Sequence, residues 1–164
     1  MKPYDADLKD PYSAARSAWH TVSMDPAALC PCGSELPFGR CCLPLHLGER
    51  QAETAEQLMR SRYSAYAVND LNYVWQTWHP TTRPPELTPA TGLTWTGLEI
   101  VDTVDGLSGD DSGEVEFRAH YRQSQQNRRS GRSAPGVAGG TLHERSRFAV
   151  RARRWFYIDG ELFG

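Results

Sequence analysis

Cys30-Pro31-Cys32-Gly33-Ser34-Glu35-Leu36-Pro37-Phe38-Gly39-Arg40-Cys41-Cys42 holds all four cysteines of the 164-residue chain. Soft ligands this close in sequence can converge on one ion, and four thiolates in a tetrahedron make a closed structural zinc site. The Cys-x-Cys and Cys-Cys pairs are tighter than the usual two-to-four-residue gap between paired ligands. Gly33 and Gly39 ease the wrap, because glycine takes positive φ without steric cost. Two disulfides remain an alternative, with three possible connectivities, although neighbours such as Cys41 and Cys42 are poor disulfide partners. Four free thiols are the third reading. His46, four residues past Cys42, is the one other ligand type nearby; four cysteines already complete a tetrahedron, so it is expected to pack or hydrogen-bond beside the knuckle.

Downstream of the window the hydrophobic period is helical. Thr54-Ala55-Glu56-Gln57 reads as a capping box, with Thr54 as N-cap and Gln57 reaching back. The helix is expected to run to about Val68, with Ala55, Leu58, Met59, Tyr63, Tyr66 and Ala67 as its buried stripe. Arg62 falls inside that stripe and must find a partner there, because an unpaired buried charge is costly. Asp70 caps a second, short helix through Leu71, Val74, Trp75 and Trp78, stopped by His79-Pro80.

After a proline-rich loop over residues 80–92 the period changes to two. Trp95, Leu98, Ile100 and Val104 mark a first strand, with a bulge expected at Gly97. A second is marked by Val115, Phe117, Ala119 and Tyr121 alternating with Glu116, Arg118, His120 and Arg122. Gln123–Gly140 reads as a long hairpin loop. The third strand covers Leu142–Val150 and the fourth Arg154–Asp159. The fourth is apolar on both faces, which predicts an inner position. Helices followed by antiparallel strands predict an α+β fold.

Length and composition fit one domain with a small appendage. No run of eighteen apolar residues occurs, so no membrane helix is expected, and the polar, acidic N-terminus has no apolar signal region. We therefore expect a cytoplasmic protein, where reducing conditions favour metal over disulfide. The net charge of −2 hides a polarity. Residues 1–117 hold eight basic and seventeen acidic side chains; residues 118–164 hold ten arginines and three acids. Arginine suits phosphate and carboxylate recognition, so an anionic partner, RNA included, is one expectation; solvated strand faces are the other.

Cys-Pro-Cys-Gly-Ser followed by Cys-Cys resembles the SEC-C motif of the SecA tail. Leu58–Tyr66, Trp78–Pro84 and Leu142–Phe148 resemble the YchJ-like family of bacterial proteins, and the likeness runs from about Cys30 to Gly160. It implies one structural zinc ion on Cys30, Cys32, Cys41 and Cys42. It also implies a cone-shaped, nuclear-transport-factor-2-like domain of curved antiparallel sheet on helices. The expected organisation is a poorly ordered extension over residues 1–28, a knuckle over 29–48 and the α+β domain over 49–164.

A cone of this kind encloses a pocket, the default place for a ligand. The resembling stretches would supply Arg62, Tyr63, Tyr66, Trp78, His79, Arg83, His143, Arg145 and Arg147, a set suited to a small anionic ligand. Arg62 and Arg147 also have a purely structural reading, as ion-pair partners of Glu144, Asp70 or Asp102 that hold helix to sheet. Leu36, Phe38 and Arg40, at the knuckle tip, are candidates for partner contact, and SEC-C knuckles of SecA-type proteins contact a chaperone and the ribosome. The leading expectation is a zinc-binding adaptor docking a protein or ribosomal partner. The alternatives are a pocket enzyme of isomerase or hydrolase type, which lacks a recognisable acid–base pair, and RNA binding.

Overall fold

A computed structural model describes residues 24–124 and 137–164. After a 3₁₀ turn at Phe38–Arg40 come α1 (Leu43–His46), α2 (Ala55–Ala67) and α3 (Leu71–Gln76). The strands β1 (Leu93–Asp105), β2 (Ser112–Ser124), β3 (Val137–Arg151) and β4 (Arg154–Leu162) form an antiparallel sheet in the order β1-β2-β3-β4. The fold is α+β, as the pattern predicts.

Thr54 caps α2 by accepting from the Gln57 amide at 3.0 Å. The Gln57 side chain reaches back as expected, but to the Glu53 N–H at 2.7 Å, one residue beyond the N-cap amide that a capping box uses. The burial of α2 is wider than a single stripe. Ser61, Arg62, Ser64 and Ala65 are buried along with Leu58, Met59 and Tyr63. Tyr66 and Ala67, expected inside, lie at the exposed end. The helix is covered from two sides, by the sheet and by the knuckle; Ser64 Oγ lies 3.9 Å from the Cys30 sulfur on the knuckle side, while Ser61 Oγ lies 2.8 Å from the Tyr73 hydroxyl of α3.

The knuckle begins earlier than expected. Of the extension over residues 1–28, residues 1–23 lie outside the described residues, and 24–28 close the knuckle. Pro26 and Ala28 carbonyls accept from Gly39 and Phe38 amides, each at 2.8 Å. Phe38 is wholly buried among Cys30, Cys32 and Cys42, with Met24, Leu43 and Val68 packed around. Arg60 then donates to the Cys32 carbonyl at 2.8 Å. His46 donates to the Ser61 carbonyl at 2.9 Å, its ring 5.5 Å from that of Phe38. Knuckle and α2 therefore share one buried interface.

The sheet closes the other side of α2. Val115, Phe117, Ala119, Phe148 and Trp155 meet Ala55, Leu58, Met59 and Tyr63 in the main core. The register shift between Trp95 and Gly97 is the expected bulge, and it keeps Trp95 and Leu98 both against this core despite their odd spacing. The turn after β1 locks onto the start of α2: Gly106, at φ 77°, accepts from the Ala55 amide at 2.9 Å.

Two expectations change here. The fourth strand is an edge, not an inner strand. Its free side is covered instead by the segment leaving α3, which ends at Gln76 rather than Trp78. The Tyr157 amide donates to the Thr77 carbonyl at 2.9 Å, and the His79 amide donates to the Tyr157 carbonyl at 2.7 Å. That cover accounts for apolar residues on both faces of an edge strand. The loop expected over 123–140 is also shorter, since β2 continues to Ser124 and β3 begins by Val137; residues 125–136 lie outside the described residues.

Candidate metal centre and inner-face cavity

The four cysteine sulfurs lie within 4.8 Å of one another. Cys32 and Cys41 are 3.6 Å apart and Cys41 and Cys42 3.8 Å. A tetrahedron with metal–sulfur bonds of about 2.3 Å has edges of about 3.8 Å, so the donor set fits a tetrahedral ion. Cys41 is the half-exposed member, and Ser34 Oγ lies 3.0 Å from its sulfur, a second hydrogen-bonding layer of the kind that orients metal ligands. As bare thiols, Cys32, Cys41 and Cys42 are electrostatically unbalanced. Hydrogen bonds from Cys30 and Cys42 hold the Cys32 thiol far below its ordinary value. Cys42, donating to Cys30 and Cys32, is pushed far up, and burial pushes Cys41 up to about 11. A soft cation at the centre removes the conflict. His46 takes no part: it is buried against Tyr73, with its Nδ1 3.9 Å from Asp70, as the beside-the-knuckle reading expects.

A second feature lies on the far side of α2. Between that helix and the inner sheet face is a cavity of about 280 Å³, lined by Met59, Trp95, Phe117 and Leu142 among apolar groups. Arg62, only 4 % exposed, enters from α2. Its Nη1 donates to the Val74 carbonyl at 2.7 Å and to Thr77 Oγ1 at 2.8 Å, while the guanidinium carbon sits 4.5 Å from the Tyr157 ring centroid. No carboxylate lies within ion-pair distance among the described residues, and burial lowers its pKa, opposed by Tyr66, Tyr157 and Tyr73. Glu144 enters from β3. Its Oε1 accepts from Ser146 at 2.7 Å and from the Tyr157 hydroxyl at 3.2 Å. Burial, then the Glu144 charge, raises the Tyr157 pKa, and burial raises those of Tyr63 and Tyr66, so these phenols stay protonated donors.

Compared with known proteins, residues 54–160 match the family described as YchJ, middle NTF2-like domain, and residues 28–44 match the SEC-C motif. The chain belongs to the YchJ family. A UPF0225 protein of Streptomyces coelicolor is 46 % identical over 136 residues, 83 % of this chain and 97 % of that protein. One from Deinococcus radiodurans is 44 % identical over 130 residues, 79 % and 86 % of the two chains. Among solved structures, a SEC-C motif containing protein from Rhodopseudomonas palustris superposes with a TM-score of 0.68 at 29 % identity, covering 84 % of this chain and all of that one. Its counterpart from Psychrobacter arcticus gives 0.61 at 27 %, covering 85 % of each. The YchJ-like resemblance, the α+β fold and the metal-type cysteine cluster thus stand together.

The pocket set expected from the family stretches divides. Arg62, Tyr63, Tyr66 and Trp78 line the cavity. His143, Arg145 and Arg147 share one face of β3, but the outer one. They pair across to Arg118, Glu116 and Glu114, and alternation sends the buried Phe117 and Val115, with their partners Glu144 and Ser146, inward. On the outside His143 meets Glu116 at 2.7 Å, and Arg145 reaches Glu116 at 2.6 Å, Asp102 at 3.1 Å and Glu114 at 3.3 Å. Arg147 pairs with Asp159. His79 lies beside Thr81 and the Phe156 ring, outside the cavity. Arg83 donates to the Trp78 carbonyl at 3.0 Å and stacks 4.0 Å over Trp75. At the knuckle, Phe38 has no exposed surface and cannot meet a partner, whereas Leu36 is 52 % exposed and Arg40 is exposed. Sequence reasoning missed Glu144, Ser146, Tyr157 and Trp95. The parity signal was present: Leu142, Phe148 and Val150 are all even positions, so the even face of β3 is the apolar one.

Proposed function

We propose that the chain is a zinc-braced small-molecule-binding protein whose ligand enters the cavity between α2 and the sheet. Zinc is the ion because four thiolates in a tetrahedron suit it and leave no position open for water, which gives it a bracing role. Cys30, Cys32, Cys41 and Cys42 hold it, and through Arg60, Ser64 and His46 the knuckle steadies the helix that carries Arg62 and Tyr66. The single observation that carries the binding reading is Arg62. A nearly buried guanidinium spends only Nη1 on protein acceptors, at the wall of an apolar cavity. The pocket-enzyme alternative gains in Glu144 a carboxylate it lacked, but binding is the reading the geometry favours. Metal analysis is expected to return one zinc per chain, lost in Cys32→Ser/Cys41→Ser. Ligand-induced melting shifts are expected for the zinc-loaded protein and abolished by Tyr66→Trp, which fills the cavity mouth. A library that never shifts the transition overturns the reading.

The adaptor reading has one specific support, the exposed pair Leu36 and Arg40 beside the metal cluster. Ribosome co-sedimentation at low and moderate salt tests it: zinc-dependent sedimentation lost in Leu36→Asp/Arg40→Glu supports docking, and equal behaviour of all proteins removes it. RNA binding through the arginine-rich half is the weaker reading, because Arg118, Arg145 and Arg147 are already engaged by acids of the same face.

A further inference from the structure

We infer that the cavity's ligand carries no net charge and offers a hydrogen-bond acceptor and a donor side by side on a flat group, as a primary amide or a lactam does. The inference rests on the cavity being a ligand site, and it revises the small anionic ligand expected from the family stretches.

Two opposite charges face the same apolar space. Arg62 leaves Nε and Nη2 without a hydrogen bond among the described residues. Glu144 engages only Oε1, leaving Oε2 likewise unbonded. The two groups line one cavity, yet they make no ion pair within 4.0 Å. A third donor lies close by: the buried indole N–H of Trp78, another lining residue, has no acceptor among the described residues. The Trp78 N–H is fully buried, and an unmade bond there costs free energy until something supplies it. The unused atoms of Arg62 and Glu144 belong to residues that line the cavity, where a guest can meet them.

The pattern of vacancies defines the complement. Unused N–H donors on Arg62 and Trp78 call for an acceptor, and an unused carboxylate oxygen on Glu144 calls for a donor. A carboxylate or phosphate would satisfy the arginine while its charge faces Glu144 at low dielectric. A simple ammonium would do the reverse. An amide edge satisfies both sides without bringing net charge into the cavity. The walls are aromatic: Trp95, Tyr63, Tyr66 and Phe117 line the cavity, and the Trp95 ring packs edge-on against Tyr63 at 5.9 Å and tilted against Tyr66 at 6.4 Å. A volume of about 280 Å³ limits the guest to one or two rings.

The sequence places Glu144 there deliberately in packing terms. The neighbouring strand offers Gly160, where any Cβ would overlap the Glu144 carboxylate, so the side chain lies across the glycine.

The test uses the zinc-loaded full chain and three probes of one shape: benzamide, benzoate and benzylamine, titrated by NMR. Benzamide is expected to bind about tenfold more tightly than either ion. Glu144→Gln keeps an Oε1 acceptor and removes the charge, and is expected to bring benzoate to within about twofold of benzamide. Arg62→Met removes the bonds to Val74 and Thr77 and risks the fold, so the Glu144 variant carries the decision. Benzoate or benzylamine equal to benzamide on the wild type overturns this inference and leaves the ligand site standing. Failure of all three probes, with no melting shift from any library compound, overturns the site itself.

Discussion

Phe38→Ala is the sharpest perturbation of the arrangement described above. The ring has no exposed surface, contacts the three buried cysteines and reaches His46, which holds the Ser61 carbonyl of α2. Truncating a fully buried phenylalanine costs about 3–5 kcal/mol, through lost transfer free energy and the cavity left behind. A domain of this size has only about 5–15 kcal/mol to lose. The assay follows from composition: no tryptophan lies in residues 24–48, and four of the five lie in residues 75–155. In a Trp19→Phe background, tryptophan fluorescence during urea unfolding, with zinc in fixed excess, therefore reports on the α+β domain alone. If knuckle and α2 share one interface, the tryptophan transition moves by several kcal/mol although the mutation sits elsewhere. Leu36→Ala, on an exposed side chain, stays within about 0.5 kcal/mol. A tryptophan transition unmoved by Phe38→Ala, with weaker metal binding, would refute the shared interface and make the knuckle a separate module.

Three further outcomes are expected. Gly106→Ala combines positive φ with a Cβ only 2.7 Å from that of Ala55, and should cost at least about 2 kcal/mol in the same unfolding assay. Ala152 and Arg153 turn the β3–β4 hairpin at φ 49° and 62°, so Ala152→Asn/Arg153→Gly should raise stability by about 1 kcal/mol, read as a higher urea midpoint. Arg145, then His143, hold Glu116 below the ordinary carboxylate range, and Arg147 does so for Asp159. Folded pKa values that are depressed give stability above the unfolded carboxylate range and lose it as pH falls through the folded values. The melting temperature should therefore fall on acidification, and fall less in Glu116→Gln/Asp159→Asn.

Much of the fold was legible because it is encoded locally. The Thr54 cap, the Asp70 cap, the period-two strands and the bulge at Gly97 each depend on a few neighbouring residues, and each lies where the pattern put it. The cysteine cluster was legible for the same reason: thirteen residues contain the whole donor set.

What the chain alone left open depends on contacts distant in sequence. Ser61 and Ser64, outside the expected stripe of α2, are buried because Tyr73 of α3 and Cys30 of the knuckle are laid against them. The fourth strand reads as internal until residues 77–79 are seen to cover its edge. Phe38 reads as a surface anchor until it is found inside the knuckle it helps to build. Above all, alternation separates His143, Arg145 and Arg147 from Glu144 and Ser146 but does not by itself say which set faces water. The pairing of Glu144 with Phe117, and of Arg145 with Glu116, decides it, because residues opposed across strands share a face and Phe117 is buried. Local sequence determined the elements and the metal donors; only tertiary packing, which chooses the face that leaves water, put a carboxylate rather than a histidine into the cavity that Arg62 lines.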